Sequence, residues 1–148
     1  VGAPRLALGR FAPRGRLLNH QIVEPPGPRR SRRSFIDAYV FPDGELLPTG
    51  DVVSLIEGAG FEVRDVENLR EHYARTLRCW VDNLTKQRDA ALRAASAGRV
   101  RVWQLYMTGS ALSFDSGQIG VAQVLAVRRA RDGDSGMPAT RADFLLAR

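Results

Sequence analysis

The stretch LREHYARTLRCWVDNL, Leu69 to Leu84, places a phenol, Tyr73, among the apolar positions Leu69, Leu77, Trp80 and Leu84 of a helical pattern. Tyr73 is either core filler with a satisfied hydroxyl or the carrier of an O–H donor toward a reacting group. A second candidate is His20, in the apolar run GRLLNHQIV from Gly15 to Val23, two residues before Ile22. An imidazole in such a run is either a hydrogen-bonded core histidine or a ligand contact at a strand end, where α/β sheets bind ligands. His72 flanks the apolar stripe and reads as a supporting or surface residue. Trp80, Trp103, Tyr106 and Phe114 fall in helical segments, where large aromatics are more often core than ligand contacts.

Several other chemistries lack their residues. Cys79 is the lone cysteine, and His20 and His72 are distant in sequence, so no Cys/His spacing suits zinc. The glycines are dispersed, with no G-x-G-x-x-G, no Walker-type loop and no G-x-S-x-G elbow. Motifs alone give no complete active site.

The elements that must position these residues can be read from composition and pattern. A chain of 148 residues suffices for one domain with a real core. Its 44% hydrophobic and 26% charged residues exclude wholesale disorder. No apolar run approaches the roughly 20 residues of a membrane span, and the start has no secretory h-region. A single cysteine is compatible with a reducing compartment, so cytoplasm is the expected location. The net charge of +6 is concentrated in PGPRRSRRS, Pro26 to Ser34. There Arg29, Arg30, Arg32 and Arg33 are either solvated loop charge or an attraction for an anionic surface. Nucleic acid is disfavoured, because the block lacks interleaved aromatics.

Residues 1–12 read as an irregular lead-in, and GRLLNHQIV as a buried strand. Thr49 or Asp51 is expected to cap a helix through Val52, Val53, Leu55, Ile56 and Ala59, with Gly60 at its left-handed C-cap. FEVRDVENL reads as a strand, residues 69 to 114 as two or three helical segments with a break at Gly98, and IGVAQVLAVRR as a closing strand. Residues 130–148 read as a loose tail. The order is α/β, with three strands far apart in sequence.

One family carries the same segments in the same order. PRGRLLNHQI, YVFPDGELLP, AGFEVRDVENLREHYARTLRCWVDNL and RVWQLYMTGSALSFDSGQIGVAQVLAVR together resemble the C-terminal part of the cyclopropane-fatty-acyl-phospholipid synthase family. That family includes mycolic acid cyclopropane synthases and fatty-acid methyltransferases of the tuberculostearic acid type. The resemblance implies that residues 13–129 are the C-terminal half of a class I S-adenosylmethionine-dependent methyltransferase domain, Rossmann-like, with a helical acyl-pocket insertion before the last, antiparallel strand. It implies methyl transfer from S-adenosylmethionine to the double bond of an unsaturated phospholipid acyl chain, giving a cyclopropane or a methyl branch. A bicarbonate ion serves the family as general base, and its cradle maps onto His20, Ile22 (through its backbone) and Tyr73.

The family's Gly-rich cofactor turn, its ribose-binding acid and a catalytic Cys and Glu lie upstream and have no counterpart here; Cys79 does not match that Cys. The chain is therefore expected to be a C-terminal fragment whose unassisted activity is uncertain. It is expected to depend on a complementary N-terminal half, to touch membranes peripherally through the four arginines, and to bind no nucleic acid. An inactive remnant, or a lipid- or partner-binding module, is the alternative.

Overall fold

The computed structural model describes residues 10–27, 39–40 and 45–146. The basic block with Arg29, Arg30, Arg32 and Arg33 lies outside the described residues, as do residues 41–44 of YVFPDGELLP and the first part of the lead-in. Three strands are described, β1 (Arg16–Val23), β2 (Glu62–Asn68) and β3 (Gly120–Val127). The helices are α1 (Thr49–Gly58), α2 (Arg70–Lys86), α3 (Arg88–Ala94), α4 (Ala97–Asp115) and α5 (Arg141–Leu146). They divide into two compact units. One holds the described parts of Val1–Gln21, Pro48–Asn68 and Ala122–Arg148, the other those of Ile22–Leu47 and Leu69–Val121.

The strands form one sheet in the order β1-β3-β2, so the last strand in sequence is the central one. β3, GVAQVLAV, contains no charge, and Val121, Val124, Ala126 and Val127 are fully buried. A strand covered on both faces needs this continuous apolar run. β2 pairs antiparallel with β3 from Glu62↔Val127 to Asn68↔Ala122, with an irregularity between Val63 and Asp65. Arg64, set there, donates to Glu62 Oε1 at 2.7 Å and Pro138 O at 3.2 Å.

On the other side Arg14 N donates to Arg128 O at 2.7 Å, Arg128 N donates to Gly15 O at 2.9 Å, and His20 meets Gln123. Residue numbers rise on β1 as they fall on β3, so β3 runs antiparallel here too.

β1 departs from the buried strand expected of it. Arg16, Leu18 and His20 are exposed in alternation with half-buried neighbours. Among the described residues it is an outer strand of this sheet, and a strand with one covered face alternates in just this way. Val23, at its end, is buried and bridges in parallel to Leu47.

In the same unit α1 buries Val52 and Ile56, one helical turn apart, and Phe61 after it meets Phe11 edge-on at 5.1 Å. Gly60 takes φ +99°, and its N–H reaches Glu57 O at 2.8 Å, as expected of a left-handed helix end. The start of α1 differs from expectation. Pro48 occupies the cap position without a side-chain bond, and Thr49 and Asp51 fall inside the first turn. A proline has no N–H to satisfy at a helix start, and Asp51 there favours the helix dipole.

The stretch from Ala130, expected as a loose tail, carries a set of bonds. Ala130 N donates to Asp134 O at 2.8 Å, Gly136 N to Asp134 Oδ1 at 2.8 Å, and Arg141 pairs with Asp65 at 3.1 Å.

The second unit is built on α2 and α4. Ala74 and Leu77 of α2 and Met107, Ala111 and Phe114 of α4 form one buried cluster with Val121. Three helices fill residues 70–115, but the break lies at Ser96, and Gly98 is inside α4. The cause is a cap. Ser96 is extended (φ −62°, ψ 151°), and its Oγ accepts from Arg99 N at 3.2 Å. At the far end of α4, Arg70 Nη1 donates to Phe114 O at 2.7 Å and Asp115 O at 2.9 Å. A cation on the last carbonyls of a helix satisfies both their lone pairs and the dipole. It also sets the start of α2 beside the end of α4.

Candidate functional site

In the first unit, His20 is exposed on the outer strand β1. Gln123 Nε2, half-buried on β3, lies 2.9 Å from His20 Nδ1. On the opposite pleat Asn19 Nδ2 donates to Gln21 Oε1 at 3.2 Å, which keeps those two amides away from the imidazole's face.

In the second unit Ile22 and Tyr73 both pack as half-buried side chains against the α2/α4 cluster. The Tyr73 ring lies 5.7 Å from that of Phe114, which is 1% exposed. Tyr73 is thus neither surface residue nor sealed core: its ring is anchored on the buried side while part of it stays accessible. His72, one residue earlier, is exposed, as is Cys79.

The aromatic set divides. Phe114 is core as expected, whereas Trp80 and Trp103 are 50% and 40% exposed, contrary to a core role. Trp103 instead stacks edge-on with Tyr106 at 5.5 Å. Burial pushes the Tyr106 phenol above its ordinary range, partly offset by a hydrogen bond with Ser110 one turn on, itself buried. A groove of about 320 Å³ opens between α2 and α4, lined by Arg78, Val81, Thr85, Thr108 and Leu112 among others. None of the sequence-chosen candidates lines it.

Two residues of interest escape motif reading. Gln123 has a signal, as the one polar residue of an otherwise apolar β3. Ser110 has none, because one hydroxyl in a helix is unremarkable until its burial is known. Among the described residues no group of three His, Cys, Asp or Glu could hold a metal, and no helix is long and apolar enough to cross a membrane. Nor does any described strand lead into a Gly-rich turn at a helix start. β1 exits through Pro25-Pro26, and β2 passes through Leu69 into α2.

The architecture has solved counterparts. A cyclopropane synthase from Mycobacterium tuberculosis superposes with a TM-score of 0.74 at 27% identity, covering 83% of this chain and 47% of that one. The phosphoethanolamine N-methyltransferase 2 of Haemonchus contortus, bound to S-adenosyl-L-methionine, shares the fold at TM-score 0.72 and 13% identity, over 86% of this chain and 29% of that one. The fold is that of the class I S-adenosylmethionine-dependent methyltransferases, in part: α/β, with the helices α2–α4 inserted before the antiparallel last strand.

Residues 7–124 match the family described as mycolic acid cyclopropane synthetase, and the chain belongs to that family. A probable fatty acid methyltransferase of Pseudomonas putida is 40% identical over 97% of this chain and 39% of its own length. A probable fatty acid methyltransferase of Mycobacterium tuberculosis is 39% identical over 84% of this chain and 29% of its own. The chain thus spans about two fifths of the first relative and less than a third of the second.

Proposed function

We propose that this chain carries the acyl-side part of an S-adenosylmethionine-dependent methyl transfer to the double bond of an unsaturated phospholipid acyl chain. The observation that carries the reading is the 40% identity, across nearly the whole chain, to a probable fatty acid methyltransferase. The cofactor's cradle is assigned to sequence outside this chain, so S-adenosylmethionine enters here only as the methyl donor of the family's reaction. Bicarbonate, when bound, would supply a general base for the proton that leaves after methyl transfer. By the resemblance three positions serve it: His20 and Tyr73 as donors, and Ile22 through its backbone.

The support differs at each position. His20 Nδ1 lies 2.9 Å from Gln123 Nε2 on the neighbouring strand. Tyr73 is held by Phe114 without being sealed. Ile22 packs on the same cluster as Tyr73. The four arginines of the basic block serve as the peripheral attraction to anionic headgroups, about 1 kcal/mol per residue near a membrane surface. Sedimentation with anionic vesicles should fall when all four become Gln; unchanged sedimentation removes that role.

The main test is a chimera in which residues 13–129 replace the matching part of the Pseudomonas putida relative. Methyl-branched or cyclopropane acyl chains in the phospholipids of expressing cells are the expected result. A folded chimera that binds S-adenosylmethionine and makes neither product contradicts the proposal. It would favour a second reading, a lipid- or partner-binding remnant. Calorimetry of the chain alone should show no binding of S-adenosylmethionine; tight binding would overturn the assignment of the cradle elsewhere.

A further inference from the structure

Trp80 and Trp103 are the only tryptophans of the chain, and both stand on helical stripes that otherwise turn inward. On α2, Trp80 follows the buried Leu77 by three residues; on α4, Trp103 lies between the buried Val100 and Met107. Yet the two indoles are 50% and 40% exposed. The apolar faces of α2 and α4 are thus wider than the contact the two helices make with each other. Large apolar rings left in water mark a surface that something else covers.

The charge around them says what. Arg70 on the last carbonyls of α4 sets the start of α2 beside the end of α4, so the two helices run antiparallel. The end of α2, the whole of α3 and the start of α4 then form the opposite tip, and α3 buries no residue. Between Trp80 and Trp103 the chain carries Lys86, Arg88, Arg93, Arg99 and Arg101 against Asp82 and Asp89. Lys86 pairs with Asp82 at 2.6 Å. Four exposed arginines and one carboxylate, Asp89, are left. Indole is favoured at the level of lipid headgroups, where its body is apolar and its N–H stays wet. Guanidinium groups fork onto phosphates and are drawn to an anionic leaflet. A second copy of the chain would set the same positive tip against itself, which like charges oppose.

We propose that this tip docks on anionic phospholipid bilayers, with Trp80 and Trp103 entering the headgroup layer and Arg88, Arg93 and Arg99 meeting the phosphates. It is a contact separate from the attraction assigned to the basic block at Arg29 to Arg33. The partner is lipid rather than nucleic acid on the strength of the proposed function, whose substrate is a phospholipid acyl chain.

The two indoles report the contact themselves, since no other tryptophan contributes emission. With the full chain and vesicles of phosphatidylglycerol and phosphatidylcholine in equal parts, emission should shift to shorter wavelength. Trp80→Phe and Trp103→Phe, each leaving one indole, should both keep the shift. Changing Arg88, Arg93 and Arg99 together to Gln should weaken binding about 100-fold. The same change at Arg10, Arg75 and Arg131, exposed outside the tip, should alter it by no more than about threefold. Sedimentation with vesicles and unshifted emission overturns the proposal, while leaving the role of the basic block intact. So does equal weakening by the two triple variants, or a shift produced by a single-stranded oligonucleotide and not by vesicles. A chimera without product whose emission still shifts fails the functional reading alone; an active chimera without the shift fails the docking alone.

Discussion

β1 and β3 are both eight-residue strands, both rich in aliphatic residues and adjacent in one sheet, yet they have opposite fates. β3 lies between two partners and buries Val121, Val124, Ala126 and Val127 completely. β1 is an outer strand among the described residues and leaves Leu18 58% exposed and His20 exposed. Local hydrophobicity does not separate them; place in the sheet does. The central strand provides anchorage, and the edge strand provides an accessible side chain. Gln123 connects the two roles, since it stands on the anchored strand and holds a ring on the accessible one.

The largest effect expected from this contrast is at Val124. Val124→Asp puts an unpaired charge where both faces are covered and should abolish folding, because stranding a buried charge costs several kcal/mol. Leu18→Asp, the same kind of change on β1, should shift stability by no more than about 0.5 kcal/mol. Urea unfolding compares them, and similar losses would erase the distinction between the strands.

In the second unit, Phe114→Ala removes the 1%-exposed ring under Tyr73 and should cost about 3–5 kcal/mol. Arg70→Ala frees the last carbonyls of α4 and should cost about 1–2 kcal/mol, measured the same way.

The smallest effect is electrostatic. The hydrogen bond from Arg78, then the charges of Arg78 and Arg70, hold the Asp115 carboxyl below its ordinary value of 3.8, against a weaker opposing effect of burial. A carboxyl depressed in the folded state contributes stability above its unfolded value, and that contribution is lost as pH falls through the folded one. Asp115→Asn should therefore weaken the protein near neutrality and flatten the decline in stability below about pH 4. An undiminished acid decline in the variant would remove Asp115 as a cause.

These outcomes bear on how far the sequence speaks for the structure. All three strands are legible in it, and Gly60 is correctly placed, because an apolar run and a glycine after a periodic segment report local requirements. What depends on neighbours is less legible. The exposure of β1 follows from its edge position, which GRLLNHQIV does not encode by itself. The break after α3 is set by Ser96, a cap whose signal is weaker than that of the nearby Gly98. The exposure of Trp80 and Trp103 depends on which side of α2 and α4 meets the partner helix. Of the site, His20, Ile22 and Tyr73 stand out through the family resemblance, and Gln123 only once strand register pairs it with His20.

The role of the edge histidine and the anchored phenol is tested most directly in the chimera, by measuring methylated phospholipid acyl chains with His20→Ala and Tyr73→Phe, singly and together, against His72→Ala. Each of the first two should cut product formation by about 100-fold or more, with the double variant little worse than the singles and His72→Ala near the parent. Full product formation by a folded His20→Ala, Tyr73→Phe double variant would contradict the account.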